Sequence, residues 1–305
     1  MRIRTILLPL LFTLGSTAGA EPLTMTSVGS DTLGTLMLRW ALAYQDLHSD
    51  IHLQIQTPGS ASAVLALTSG AADLGPMSRP MSQTEEAAFR DKQGLLPQHI
   101  RVALDAVAVF VHPDNPLTSI RIAQLDGIYA SDRGCPGSSD MQYWSDLGVS
   151  SSLATRPVLK IGRNTASGSY EFFREIALCN GDYRAEVVQF PGASAIVAAV
   201  AKEPAAIGYA GISYVSGLIK VLPVGQSRGD ASSFLPDPES IRAGRYPLSR
   251  PLYIYFNPKN LDQHATKVRE FLNFVLSDAG QAIVSAEGLV PMAADELAAQ
   301  RRTIE

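Results

Sequence analysis

The sequence predicts an α/β protein built from two lobes, and three observations lead to this prediction. Helix-like and strand-like segments alternate through the first 75 residues, which is the order of a parallel α/β sheet. Two long apolar strand-like runs, 101–112 and 252–256, are each ended by a proline-containing turn. Two such buried strands indicate a first lobe that is interrupted by a second lobe and then completed.

The first lobe begins with a regular succession of elements. In order, these are a helix over 33–46, a strand over 51–55, a helix over 62–69 and a short strand over 72–75. Ser30 or Asp31 is suited to cap the first helix, and Gly70 is suited to end the second. We predict that this lobe comprises residues 21–108 and 254–305.

The inserted lobe is predicted over residues 109–253. Its elements are the segment 122–129, a strand over 158–161, a helix from about Ser169, a helix over 194–201 and a strand over 206–209. A short run in this lobe, 191–197 (PGASAIV), echoes 58–64 (PGSASAV) in the first. The echo places a Pro-Gly turn before a helix in each lobe.

The N-terminus has the pattern of a secretory leader. Arg2 and Arg4 precede the apolar run 6–14, and Ala18-Gly19-Ala20 supplies a small-x-small cleavage site. The run is shorter than the roughly 20 apolar residues of a membrane span. We therefore predict a signal peptide over 1–20 and a periplasmic protein, with release from the cell as the alternative. The remaining 285 residues (305 − 20) suit two lobes.

The composition is that of a compact and mildly acidic protein. Hydrophobic residues make up 46% and charged residues 18%, and loss of Arg2 and Arg4 changes the formal charge from −4 to −6. A net negative charge disfavours nucleic acid as a partner. Any bound anion must therefore be held by local donors.

The two cysteines, Cys135 and Cys179, predict one disulfide. An even pair in an exported protein is more often a disulfide than a metal site. The alternative is two buried thiols.

Three stretches place small hydroxyl residues where a helix should begin: 29–32 (GSDT), 58–62 (PGSAS) and 163–169 (RNTASGS). A helix start has about four N–H groups without partners and a partial positive charge. Several such starts together with one arginine form a site for a tetrahedral oxyanion.

The ordered motifs 28–32, 59–62, 73–80 (DLGPMSRP), 162–169 and 207–209 resemble the phosphate-binding proteins of ABC transporters. The resemblance covers nearly all of the mature chain. It implies the type II periplasmic-binding-protein fold, with two α/β lobes, two crossover strands and a ligand in the cleft. It also implies a non-enzymatic protein that captures inorganic phosphate for an ABC permease in the inner membrane, without a cofactor and as a monomer.

The resemblance also implies a set of ligand-binding residues. They are Ser30, Asp31, Thr32, Ser60, Ser78, Arg79, Arg163, Ser167, Gly168 and Ser169. Well-studied members place an aspartate, which accepts the proton of hydrogen phosphate, where this chain has Ser78. They also place an acidic partner two residues after the binding arginine, where this chain has Thr165. We expect Asp31 or the Ser78 hydroxyl to act as the proton acceptor, and Asp105 to be structural.

Two other function classes remain open on the sequence. One is a secreted phosphomonoesterase on the same scaffold, with Ser167 as a candidate nucleophile. The other is a phosphate-linked adhesion or sensing protein without a permease. The five histidines are scattered, and the chain has neither a Gly-x-Ser-x-Gly elbow nor a Walker motif, so we predict no metal or catalytic site.

Overall fold

A computed structural model describes residues 23–226, 232–261 and 266–305. The predicted signal peptide at 1–20 therefore lies outside the described residues. The strands are β1 (Leu23–Val28), β2 (Ile51–Gln56), β3 (Leu74–Met77), β4 (Gln98–Val111), β5 (Ile120–Arg121), β6 (Leu159–Arg163), β7 (Val188–Phe190), β8 (Ala206–Gly211), β9 (Lys220–Val221), β10 (Val224–Gly225), β11 (Ser233–Phe234) and β12 (Ser249–Phe256). The α-helices are α1 (Gly34–Gln45), α2 (Ser60–Ser69), α3 (Gln83–Gln93), α4 (Ile122–Tyr129), α5 (Gly168–Ala177), α6 (Ala193–Val200), α7 (Pro238–Arg242), α8 (Thr266–Val275), α9 (Asp278–Ala286) and α10 (Ala294–Arg301).

One curled sheet runs through both lobes in the order β2-β1-β3-β12-β4-β8-β6-β7. The first lobe contains the parallel strands β1, β2 and β3, and the second contains the parallel strands β6, β7 and β8. The predicted α/β architecture of two lobes is therefore confirmed.

The long apolar strands β4 and β12 connect the lobes. The first part of β4, from Gln98 to Ala106, is antiparallel to β12, and its last part, from Val107 to Val111, is antiparallel to β8 in the second lobe. In turn, β12 is antiparallel to β3 in the first lobe. These are the two predicted crossover strands. The exact boundaries at 108/109 and 253/254 stay a prediction.

Each lobe has its own apolar core. Trp40 and Phe271 are fully buried in the core of the first lobe, and Trp144 and Phe173 are fully buried in that of the second. The cleft between the two cores is lined by the ends of strands and the starts of helices, so it contains the polar groups that neither core can accept.

Helix α2 begins two residues earlier than predicted, at Ser60. Gly59 makes this possible, because its φ of 137° turns the chain sharply into the helix. A Cβ at Gly59 would also lie 2.3 Å from the Ala166 carbonyl oxygen in the second lobe. The early start moves the Ser60 side chain to the edge of the cleft.

At the first predicted helix, a short 3-10 turn (Asp31–Leu33) precedes α1, and the Ser30 side chain makes no capping hydrogen bond.

The predicted disulfide between Cys135 and Cys179 is present, with Cα atoms 5.2 Å apart. It joins the loop after α4 to the residues that follow α5. The C-terminal end of α5 is thereby fixed in the second lobe, while its N-terminal end points to the cleft.

Candidate functional site

The helix starts singled out in the sequence meet across the cleft. Thr32 Oγ1 of the first lobe lies 3.4 Å from Ser169 Oγ of the second, and both residues are buried. The Ala61 N–H at the start of α2 donates to the Ala166 carbonyl, just before α5, at 3.2 Å. The positive ends of two helices therefore face one small region between the lobes.

Gly168, the first residue of α5, allows the closest approach. A Cβ at this position would lie 2.4 Å from Ser60 Oγ and 2.5 Å from Ser78 Oγ, which are both in the first lobe. Ser167 caps the helix, since its Oγ accepts the Ser169 N–H at 3.1 Å. The backbone of the second lobe can thus contact the hydroxyls of the first only because residue 168 has no side chain.

Arg163 ends strand β6, and its side chain is 1% exposed. Its Nη2 donates to the Pro191 carbonyl at 2.8 Å, and its Nη1 lies 3.0 Å from Asp31 Oδ2. The Nη1 contact is an ion pair whose N–H direction is not aligned for a hydrogen bond. Among the described residues, neither Nε nor Nη1 of Arg163 has a hydrogen-bond partner.

Asp31 supplies the negative partner that is missing at Thr165. Besides facing Arg163, its Oδ2 accepts the Ala193 N–H at 3.2 Å, and its carbonyl accepts the Tyr214 hydroxyl at 2.7 Å. All three of these groups belong to the second lobe. The acidic partner of the buried arginine therefore comes from across the cleft, and Asp31 also connects the lobes.

A pair of stacked aromatic rings holds the backbone of Arg163 through one hydrogen bond. The Phe173 and Tyr209 rings are parallel, with centroids 3.9 Å apart. The Tyr209 hydroxyl accepts the backbone N–H of Arg163 at 3.3 Å and lies 2.8 Å from the Tyr183 hydroxyl. Burial raises the pKa of Tyr209 to about 12, so the hydroxyl stays protonated and the support stays uncharged.

Ser78 lies within the candidate site, and the Arg79 guanidinium pairs with Glu85 of its own lobe. Ser78 is fully buried, its N–H donates to Ser60 Oγ at 3.1 Å, and its Oγ lies 3.3 Å from Ser60 Oγ. The Arg79 guanidinium makes two hydrogen bonds of 2.7 Å to Glu85 at the start of α3. A role of Arg79 in binding stays a prediction, since its Nε is buried and has no hydrogen-bond partner among the described residues.

The prediction did not include Arg250, which the structure places beside the site. Arg250 is 3% exposed, and its Nη2 donates to Ser169 Oγ at 2.8 Å. Its Nε and Nη2 also donate to Asp105 Oδ2, at 2.9 and 2.8 Å. Burial lowers the pKa of Arg250, and the Asp105 carboxylate opposes this effect. The available sequence signal was an arginine at the start of an apolar strand.

Asp105 forms a structural ion pair, as the sequence suggested. Its Oδ1 accepts the Ile212 N–H at 3.3 Å in addition to the contacts of Oδ2 with Arg250.

In the part of the chain that the structure describes, no group of three or more His, Cys, Asp or Glu side chains could hold a metal ion. None of the described helices combines the length and apolar character needed to span a membrane.

Two α/β lobes on paired crossover strands, with a polar cleft between them, define a solute-binding protein of the periplasmic-binding-protein type. A family model described as a PBP superfamily domain matches residues 15–279. The phosphate-binding protein PstS of Pseudomonas aeruginosa is 42% identical over 271 residues, which are 88% of this chain and 83% of the relative. The chain therefore belongs to the PBP superfamily, in the family that contains this PstS.

Solved structures share the fold at lower sequence identity. An ABC-type phosphate transport receptor from Vibrio cholerae matches with a TM-score of 0.68 and 21% identity, over 88% of this chain and 100% of the other. The high affinity periplasmic phosphate-binding protein PfluDING, bound with phosphate, matches with a TM-score of 0.72 and 17% identity, over 92% and 93% of the two chains. The two-lobe architecture is thus common to proteins of very different sequence.

Proposed function

We propose that this protein captures inorganic phosphate in the cleft between its lobes for uptake by an ABC transporter. The observation that carries the proposal is the Arg163 guanidinium, which is 1% exposed and has two nitrogens without hydrogen-bond partners among the described residues. Buried N–H groups of a cation that make no hydrogen bond are costly even where a carboxylate faces one of them, and an anion in the cleft would satisfy them. The name of the P. aeruginosa relative supports phosphate as that anion.

The surrounding donors suit a tetrahedral ligand. The starts of α2 and α5 supply backbone N–H groups from opposite sides, and Thr32, Ser60 and Ser169 supply hydroxyls. The planar fork of Arg163 can donate two parallel hydrogen bonds to two oxygens of one phosphate. Ser30, Ser78, Ser167 and Gly168 complete the proposed binding set by shaping the loops that hold these donors.

We infer that the proton of hydrogen phosphate is accepted by Asp31. The contacts described for its carboxylate fall on Oδ2, which leaves Oδ1 for the ligand hydroxyl. The buried Ser78 hydroxyl is the other acceptor within the site. A carboxylate acceptor would repel fully ionised sulfate and favour hydrogen phosphate.

The proposed mechanism is a hinge between an open and a closed state. Contacts such as Thr32 with Ser169 and Asp31 with Arg163 join residues of different lobes, so they form only when the lobes meet. Phosphate would stabilise the closed state, because only that state presents the donors of both lobes. Crossover strands β4 and β12 are the natural place for the bending.

Export and partners form part of the same proposal. The leader-like N-terminus supports secretion into the periplasm, and a receptor there would deliver phosphate to a permease in the inner membrane. We propose that the receptor acts as a monomer, since its two lobes already enclose the site.

No observation favours the phosphatase or adhesion alternatives. A phosphatase would need an activated nucleophile, but the candidate Ser167 Oγ accepts the Ser169 N–H as a helix cap. Within the described residues, no His, Asp, Glu or Lys side chain makes a hydrogen bond with the Ser167 hydroxyl that could activate it as a nucleophile.

Calorimetric titration of ligand-stripped protein with phosphate and with sulfate, at about pH 5 and pH 8, tests the proposal across the second ionisation of phosphate. We expect saturable phosphate binding and little sulfate binding. Arg163→Ala should weaken phosphate binding by at least about 30-fold, the equivalent of about 2 kcal/mol.

The matched control is Arg156→Ala, which removes an exposed arginine paired with Glu203 in the same lobe. This variant should bind phosphate like the wild type. Absence of phosphate binding by the wild type, or equal binding by both variants, would refute the proposed site.

A further inference from the structure

A buried ion pair joins the two crossover strands directly beneath the cleft. Arg250 of β12 and Asp105 of β4 are Cα partners in the register of the two strands. Their side chains are 2% and 0% exposed, and Nη2 of the arginine lies 2.8 Å from Oδ2 of the aspartate. A charge pair buried this deeply is costly unless its remaining N–H groups are also used.

The guanidinium reaches past its aspartate to two hydroxyls. Arg250 Nη2 donates to Ser169 Oγ at 2.8 Å and lies 3.5 Å from Thr32 Oγ1. These two hydroxyls come from different lobes. Arg250 is therefore in contact with both sides of the cleft at the point where the lobes meet.

The direction of these hydrogen bonds matters because arginine can only donate. A hydroxyl that accepts from Arg250 keeps its own proton for another acceptor. Thr32 Oγ1 and Ser169 Oγ lie 3.4 Å apart, so their mutual contact can use only one of the two protons. At least one O–H group therefore remains to donate into the cleft.

A further nitrogen of the same side chain is unused. Among the described residues, Arg250 Nη1 is buried and has no hydrogen-bond partner. Asp105 already balances the charge of the pair. Because the Arg250–Asp105 pair is neutral overall, Arg250 adds no net charge to the site. It instead supplies N–H donors that are held in a fixed orientation.

We propose that Arg250, held by Asp105, is a positioning residue of the anion site, which orients the Thr32 and Ser169 hydroxyls of opposite lobes as donors to the bound phosphate. This inference rests on the proposed function. It assigns to the crossover strands, besides their role as a hinge, a part in binding. The site would then contain two guanidinium groups, and each is paired with its own aspartate: Arg250 with Asp105, and Arg163 with Asp31.

A double-mutant cycle on phosphate affinity tests the proposal. Arg250→Gln should weaken phosphate binding by about tenfold to a hundredfold in the wild-type background. When Thr32→Val and Ser169→Ala have removed both hydroxyls, the same substitution should weaken it further by less than about threefold. A merely structural role would give the same loss in both backgrounds.

Two further variants complete the design. Arg245→Gln removes an exposed charge paired with Glu239, a few residues before β12, and should leave phosphate affinity unchanged. Arg250→Gln combined with Asp105→Asn removes both buried charges and leaves a polar amide at each position. This variant serves in place of Arg250→Gln, in both backgrounds, if the single change prevents folding.

The outcomes separate this inference from the proposed function. Equal losses in both backgrounds, or a loss below twofold in the wild-type background, would overturn the positioning role while phosphate binding itself stands. A wild-type protein that does not bind phosphate would refute the proposed function, and this inference with it.

Discussion

Replacement of Gly168 by alanine should block closure of the lobes while leaving each lobe intact. The added Cβ would lie 2.4 Å from Ser60 Oγ, 2.5 Å from Ser78 Oγ and 3.0 Å from Ser60 Cβ. The hydroxyls cannot rotate away freely, because Ser60 Oγ accepts the Ser78 N–H at 3.1 Å. The lobes must therefore separate by roughly 1 Å to restore ordinary contact distances.

The magnitude follows from the donors that this separation removes. If two hydrogen bonds to a charged ligand are lost, at about 1.5 kcal/mol each, binding weakens by about 3 kcal/mol, or roughly two orders of magnitude. The free protein, in which the lobes can separate, should not be destabilised. Gly168 has no positive φ, so alanine fits its backbone and lowers the entropy of the unfolded chain, which is worth about 0.4–1 kcal/mol. Lower affinity with equal or higher stability is thus the expected combination.

The assay is calorimetric titration with phosphate, paired with urea unfolding of the ligand-free protein. Gly192→Ala is the matched control, because Gly192 is the N-cap of α6 and so also lies at a helix start of the second lobe at the cleft. A Cβ there meets only Asp31 Oδ1, at 3.9 Å. If Gly168→Ala binds phosphate within about twofold of the wild type, the lobes do not close on this residue and the reasoning is wrong.

Three further predictions concern other groups. Arg163→Lys should weaken phosphate binding nearly as much as Arg163→Ala in the same titration, because one ammonium cannot reproduce the planar fork. Burial would raise the pKa of Glu85, but its hydrogen bonds with Arg79 and Ser82 outweigh this and hold the pKa below its ordinary value of 4.5. The ionised Glu85 therefore stabilises the folded protein above about pH 4.5, and this stabilisation is lost as the pH falls through the lowered pKa of the folded state. In urea unfolding, Glu85→Gln should be less stable than the wild type at pH 7 but nearly equal to it in strong acid. Replacement of both cysteines of the disulfide by serine, with a sequence separation of 44, should lower the free energy of unfolding by up to about 4 kcal/mol; an unchanged thermal midpoint would contradict this.

Much of the fold was accessible from the sequence because its signals are local. The alternation of helices and strands, the long apolar runs of β4 and β12 and the glycine-serine helix starts depend on residues close together in the chain. The two cysteines were paired on count and compartment, and this prediction is confirmed. Element bounds were less accurate, as at α2, where a positive φ at Gly59 starts the helix two residues early.

Charged side chains were harder to place, because local sequence does not name their partners. The sequence predicts Arg79 as a ligand residue, but it does not indicate that the guanidinium pairs with Glu85 at the beginning of the next helix. No local pattern in the sequence points to Arg250, although it lies beside the candidate site, since its partner Asp105 is 145 residues away. Burial makes these choices decisive, because a guanidinium out of water must find its counter-charge wherever the fold supplies one.

The sequence by itself determined the alternation of elements, the helix starts that carry unpaired N–H groups and the arginine at the end of β6. Only the tertiary structure decided that these features meet. Arg163 faces Asp31 from the other lobe, and Thr32 reaches a serine 137 residues further along the chain. The physical reason is the distance along the chain over which each interaction acts. Helix capping and strand formation depend on neighbouring residues, whereas the cleft depends on how the two crossover strands hold two separately packed cores together.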